Sequence, residues 1–519
     1  MRAVRRRKVL SMVAAVAGLA GVAALPSHTA RGSSRHSRSH PLSRDVDAAV
    51  ERAMALDLSP ALSVAVYSRQ GTYARAFGVA DVNTRERASE ETCFYLASST
   101  KSMTAMALAS LHARGSLNLD ASLAEMSPQN PLPPETRPGE VRLRHLLAHV
   151  GGIANRPINY RLTASGQHDA DTLWRLLAVS KANAEAPLGR FQYQNIGYNI
   201  ATILTDRRLK LPWQNLLRRE IFEPAGLTRT TAYMSHAKAS RWSIAMPHRV
   251  GPAGVRERNY LEKTDQTMHS AGGVVMSARD AARWLELVIE DGLVGGRRCL
   301  PADVVAATRE PLALVDVEFE GYRREHYGLG WYLARHRDER MLHHFGGFSG
   351  YRAHVSYLPS QTIGVAAFVN DSTVGLPLIN AIANFVYDRA GGYADATQQF
   401  DAALDNARVR YAEAAKDVVA DRATRATLRL ALERRHAAYA GVYENPDWGQ
   451  MEVAAEDSTL RVTCGVLRAL AEPLGEANAV WVELEPGEGG LLQFEGGGAE
   501  PGALRFEGRR FLRRAATQG

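Results

Sequence analysis

Strand-like alternation appears at two distant places in this chain. Leu62, Val64 and Val66 share one face of a run ending at Tyr67. The turn residues Gln70-Gly71 follow, and a second run extends from Tyr73 to Val79. Two such runs joined by a short turn make an antiparallel hairpin. Clear alternation returns only at Ala353, Val355 and Tyr357, and then at Ile363, Val365, Ala367 and Val369. Residues from about 98 to 300 read as helix and loop. A chain in this order is expected to fold as α+β: an antiparallel sheet built from both ends of one domain, flanked by the helices inserted between them.

At 519 residues the chain exceeds one ordinary domain. Residues 45–390 are expected to form the large one. The stretch 391–430, rich in Ala, Asp, Arg and Leu, reads as a helical linker. In 431–519, Gly441-Val442-Tyr443, Met451-Glu452-Val453, Leu460-Arg461-Val462 and Leu504-Arg505-Phe506 are short alternating segments broken by Gly, Asp and Pro. That is the pattern of a small all-β domain.

The N-terminus has the form of an export signal. Arg2 to Lys8 make a basic region, Val9 to Leu25 are apolar or small apart from Ser11, and Val22-Ala23-Ala24 offers a cleavage site. Residues 1–24 are therefore expected to be a signal peptide, and an exported, periplasmic or secreted protein follows. Left uncleaved, the same segment would anchor the chain to a membrane. Residues 25–44 read as a polar tether. Nine basic residues and no acidic one lie within 1–44, so the net charge of +8 is concentrated there; the rest carries 54 basic and 55 acidic residues. A near-neutral body excludes nucleic acid as an expected partner. Cys93, Cys299 and Cys464 are too few and too scattered for a disulfide framework or a zinc site.

Ser98-Ser99-Thr100-Lys101 opens a predicted helix that stops near Arg114-Gly115. Residues three apart share a helix face, so Ser98 and Lys101 point together. A serine hydroxyl needs a base, and a lysine amine serves if burial lowers its pKa. The spacing alone is common; a helix-capping serine beside a solvated lysine would also produce it. A second cluster, Gly189-Arg190-Phe191-Gln192-Tyr193-Gln194-Asn195, follows, and then Leu342-His343-His344-Phe345-Gly346-Gly347.

Ser-x-x-Lys, Tyr-x-Asn and His-x-Gly in this order resemble the serine β-lactamase and penicillin-recognising superfamily. The Tyr-x-Asn form is similar to its branch of class C β-lactamases, D-alanyl-D-alanine carboxypeptidases and esterases. The resemblance spans about 45–390. It implies that Ser98 forms an acyl-enzyme and that Lys101 and Tyr193 move its proton. Asn195 would bind the acyl amide, and His344 would tune the site. Gly346 and Gly347 would lie on the strand edging it, with the N–H groups of Ser98 and Gly347 as oxyanion hole. Neither cofactor nor metal is expected. His343 reads as a core or surface residue, since neighbours on a strand face opposite ways. Leu146 to Gly152, Ala271-Gly272-Gly273 and Tyr327 to Trp331 read as scaffold. Met268-His269-Ser270-Ala271-Gly272 is a weak rival nucleophile elbow that lacks its first glycine.

The middle of the third motif is Phe345, where carboxylate-binding relatives carry a hydroxyl. A phenylalanine has no donor, so the sequence points away from a β-lactamase or carboxypeptidase. It points towards an esterase, or an amidase or peptidase acting on D-residues. Arg352 or Ser349 would be the compensating donors. The expected partner is a small-molecule or peptide substrate, and oligomeric state is not readable. An acyltransferase on the same serine, a β-lactamase or D-alanyl-D-alanine carboxypeptidase, and a non-catalytic penicillin-binding-like sensor are the alternatives.

Overall fold

The computed structural model describes residues 39–515; the basic segment and apolar run near the N-terminus lie outside them. Nine antiparallel strands form the main sheet: β1 (Ala61–Ser68), β2 (Gly71–Asp81), β3 (Glu86–Arg87), β4 (Ala313–Phe319), β5 (Tyr322–Tyr327), β6 (Tyr332–His336), β7 (Glu339–Phe348), β8 (Tyr351–Leu358) and β9 (Ile363–Val369). Their order is β4-β5-β6-β7-β8-β9-β1-β2-β3. β1 lies in the middle, with Val64 opposite Ala367 of β9 and Arg75 of β2. First and last strands thus meet, as the two distant alternating runs required.

Burial follows from that central position. Leu62, Val64 and Val66 face a core shared with helices α1 (Ser43–Ala55) and α5 (Gly375–Ala390). The small residues Ala61 and Ala65 occupy the opposite face, where helix α4 (Ala278–Ile289) packs. Strands β4, β5 and β6 were not anticipated. Register shifts after Leu314 and after Arg324 break their period of two, and the outward residues of β4 are exposed.

Helix α2 (Thr100–Ala113) is buried from Thr100 through Leu111 and runs through the middle of the helical half. Its burial all round explains its lack of an amphipathic stripe. Helix α3 (Ile196–Leu209) packs on the short helix Leu143–Leu147. A 31-residue helix, α6 (Ala396–Ala426), follows α5 and packs on it. No described helix is long and apolar enough to cross a membrane.

Nine further strands between Gly441 and Arg513 form an antiparallel meander around Tyr443, Met451, Val462, Phe494 and Phe511. The meander curls until Leu467–Leu470 meets β10 (Ala479–Glu485). Its core continues into Ala164 and Leu261 of the first domain, with Tyr160, Tyr260 and Phe348 packed against it. Arg161 ties the two together, donating to the carbonyls of Pro446 and Asp447.

Phe368 of β9 is fully buried beside Phe94. Phe368→Ala is expected to lower stability by about 3–5 kcal/mol through lost burial and the remaining cavity, read by urea unfolding.

Candidate active site

The polypeptide enters α2 through a single turn, Ala97–Ser99, in which Ala97 has a φ of +45°. A side chain other than glycine in that region is strained and needs surrounding structure to hold it. β7 supplies that structure. Ser99 Oγ donates to the His344 carbonyl at 3.0 Å. A Cβ at Gly346 would fall 1.9 Å from the Leu96 carbonyl oxygen. Only glycine lets the strand sit this close to the turn. From the other side, Thr104 Oγ1 donates to the Ser270 carbonyl at 2.7 Å. Val274 N–H donates to Thr100 Oγ1 at 3.2 Å.

Lys101 is fully buried. Its Nζ lies 3.1 Å from Ser98 Oγ, 2.7 Å from Asn195 Oδ1 and 2.8 Å from the Ala271 carbonyl. No described carboxylate pairs with it. Desolvation with no compensating negative charge holds its pKa well below that of an ordinary lysine. Asn195 is the residue before α3, so the helix start fixes the amide that accepts from Lys101.

Tyr193 stands in the cleft mouth, 37% exposed. Its ring lies 4.8 Å from Lys101 Nζ and stacks on Tyr332 at 6.0 Å. Burial of its hydroxyl end, with Tyr332 adding to the effect, raises its pKa well above the usual tyrosine value, although the nearby Ser98 hydroxyl opposes this. His149 holds the loop that carries Tyr193. His149 has a φ of +62°, its carbonyl accepts from Gln192 N–H, and its ring lies 4.6 Å from that of Tyr193. The stretch Leu146 to Gly152, read as scaffold, therefore positions a candidate site residue directly.

His344 faces the same cleft, its ring 5.9 Å from Tyr193. Nδ1 lies 2.7 Å from the Phe345 carbonyl and Nε2 lies 3.2 Å from Tyr327 Oη. A carbonyl only accepts, so Nδ1 carries the proton and Nε2 accepts from the tyrosine. Burial keeps the ring neutral, its pKa well below the usual value. His343 points to the opposite face, buried against Tyr332 and Tyr322. Ser270 of the rival elbow is buried and bonded to Thr202 and the Tyr198 carbonyl.

A cavity of about 860 Å³ brings Ser98, Tyr193, His344, Gly346 and Gly347 together; Phe345 also lines it. The missing hydroxyl at 345 does not leave the cavity without a donor, contrary to expectation. The Arg324 guanidinium, from β5, lies 5.3 Å from the Phe345 ring and 3.8 Å from that of Tyr332. Arg352 and Ser349, the donors expected there, are otherwise engaged. Arg352 bonds to the carbonyls of Phe348 and Tyr351, and Ser349 to that of Pro486. No motif marked Arg324, because it reaches the cavity from two strands away. The turn Glu485 to Glu488 of the C-terminal domain completes the wall.

The chain belongs to the Beta-lactamase family, whose model matches residues 46–382. It is a β-lactamase-related serine hydrolase. It is 24% identical to the unguisins hydrolase ungD of Aspergillus violaceofuscus over 473 residues, 83% of this chain and 80% of that protein. It is 22% identical to the D-alanyl-D-alanine-carboxypeptidase/endopeptidase AmpH of Escherichia coli K12, over 57% of this chain and 76% of that one. In fold it is similar to the octameric penicillin-binding protein homologue from Pyrococcus abyssi. The TM-score there is 0.57, at 19% identity, covering 91% of this chain and 99% of that one. It is also similar to the D-amino acid amidase of Ochrobactrum anthropi SV3, with a TM-score of 0.55 at 18% identity, covering 67% and 99%.

Gly346→Ala is expected to push β7 off the turn that carries Ser98. A displacement of about 1 Å costs on the order of 10²-fold in rate. The variant should lose that much kcat/KM on p-nitrophenyl acetate while keeping its far-ultraviolet circular dichroism.

Proposed function

We propose that this protein is an exported serine hydrolase that cleaves amides or esters of D-residue substrates through an acyl-enzyme on Ser98. The observation that carries this reading is the bonding of Lys101. A neutral amine has two N–H donors and one lone pair. Asn195 Oδ1 and the Ala271 carbonyl take the donors. The lone pair is left facing Ser98 Oγ at 3.1 Å. Lys101 is thus set to receive the serine proton as Ser98 attacks the substrate carbonyl.

Tyr193 keeps its proton at neutral pH because its pKa is raised. It acts as relay rather than base, passing a proton from the Lys101 side to the leaving group. The N–H groups of Ser98 and Gly347 receive the oxyanion, and Asn195 orients the acyl amide. His344 is neutral, with both nitrogens bonded, and shapes the field at Tyr193. Water then releases the acyl group. No cofactor enters these steps. The name of one relative, a D-alanyl-D-alanine-carboxypeptidase/endopeptidase, supports an amide carrying D-residues, and that of another supports hydrolysis. The basic and apolar segment 1–24 supports export.

The test is intact mass after exposure to a fluorophosphonate, beside Ser98→Ala. One adduct on the wild type and none on the variant is the expected result; no adduct and no ester turnover would remove the enzymatic reading. Lys101→Arg puts a permanently protonated group where the neutral amine stands, one that cannot accept a proton, and is expected to lose about 10²–10⁴-fold in kcat/KM. A base must be neutral to act. The acid limb of the wild-type pH profile should therefore follow Lys101 and lie well below 10.5, the ordinary lysine value. Activity falls as pH drops through that limb.

A further inference from the structure

Lys263 is a second buried lysine, apart from the groups that move the proton of Ser98. It is 3% exposed and has no ion-pair partner among the described residues. Its Nζ donates to the Thr163 carbonyl at 3.1 Å and to the Thr267 carbonyl at 3.4 Å. It also lies over the Phe348 ring, 3.4 Å from the centroid, and 5.2 Å from the centroid of Tyr95. The two rings meet edge to face at 5.7 Å. One amine thus joins four segments of the chain.

Three of those segments frame the nucleophile. Tyr95 stands three residues before Ser98, on the short strand Phe94–Tyr95 that leads into the turn. Its hydroxyl donates to the Gly272 carbonyl. Phe348 follows Gly347 at the end of β7 and lines the cavity with Ser98. Thr267 lies four residues before Ala271, whose carbonyl accepts from Lys101. The two N–H groups proposed for the oxyanion, those of Ser98 and Gly347, therefore sit on the segments whose rings Lys263 holds.

Protonation governs that hold. A neutral amine has two hydrogens and one lone pair. With both hydrogens on the carbonyls, the lone pair would meet the electron-rich face of Phe348. An ammonium has a third hydrogen for that face, and the ring quadrupole attracts its charge. The contact at 3.4 Å therefore suits the ammonium. Burial opposes the charged form and lowers the pKa of Lys263 to about 7, while Glu485 raises it.

The other ionisable groups nearby are engaged or neutral. Glu262 pairs with Arg258 and Lys238, and Asp265 accepts from Ser235 N–H. Arg161, on the Thr163 segment, donates to carbonyls of the C-terminal domain. Burial keeps the Tyr95 hydroxyl protonated. His269 is held neutral by burial first and by Lys263 second.

We propose that Lys263, as the ammonium, is a positioning residue for the oxyanion hole. By clamping the rings of Tyr95 and Phe348 it sets the spacing of the Ser98 and Gly347 N–H groups. The proposal rests on the serine-hydrolase reading above. Lys263 itself gives and takes no proton during turnover. The oxyanion forms only on the way through the reaction, so loss of the clamp lowers kcat and kcat/KM together.

The experiment follows both constants for the full chain on p-nitrophenyl acetate from about pH 6 to about pH 9, beside Lys263→Arg and Lys263→Met. In the wild type both should fall roughly tenfold, within the 10²-fold that a 1 Å misplacement costs. The fall should come as pH rises through about 7, where the ammonium is lost. Lys263→Arg keeps its charge at every pH, so its values should stay level over this alkaline range. Lys263→Met has neither charge nor donor and should be slow throughout, with no alkaline fall. The acid limb set by Lys101 should persist in all three. Level wild-type values, or an alkaline fall with the same midpoint in either variant, would overturn the proposal. The wild-type and arginine profiles decide it alone should Lys263→Met fail to fold. Absence of the fluorophosphonate adduct on the wild type would instead remove the reading beneath it.

Discussion

The Leu96 carbonyl oxygen occupies the space where a side chain at 346 would begin. That contact, with the Ser99 bond to the His344 carbonyl, seats β7 on the turn before α2. The turn keeps Ala97 in a strained conformation and presents Ser98 to the cleft. Strand and turn come from opposite ends of the domain, so the site exists only when the sheet has closed. β1 pairs with β9, β9 with β8, and β8 with β7, which carries the glycines to Ser98. Sheet closure and site assembly are one event.

Within that frame the chemistry depends on what is absent around Lys101. Buried lysines are usually paired, because an isolated ammonium is expensive to desolvate. Here the three neighbours within hydrogen-bond distance are a hydroxyl, an amide and a carbonyl. The cheaper state is the neutral amine, which is the state a base requires. The same desolvation keeps Tyr193 and His344 neutral. A site of uncharged groups concentrates its field on charge that develops during reaction. Arg324 and Glu485 line the same cavity but fall outside this neutral centre.

The C-terminal meander shares a core with the first domain through Ala164 and Leu261 and places a rigid turn in the wall of the cleft. Size and shape of the substrate space are thus set jointly by both parts of the chain.

The local chemistry was legible in the sequence. Ser98 and Lys101 are three residues apart, and helical periodicity alone puts them on one face. Tyr193 and Asn195 stood out through the Tyr-x-Asn resemblance, and Gly346 through His-x-Gly leading into the late alternating strands. The α+β order and the β-rich end were legible for the same reason: short-range period reports local structure. Strands β4 to β6 were not, because bulges and exposed charges break that period. Arg324 and Glu485 were not either. Each lies in a segment whose own pattern says only strand or turn, and each gains meaning by meeting Ser98 across the fold. The sequence by itself determined which groups are candidates for nucleophile and base, since a hydroxyl and an amine three residues apart on a helix are set by covalent chemistry and local spacing. Tertiary structure decided their protonation and the charges that line the cleft, because desolvation and long-range packing depend on neighbours far apart in the chain.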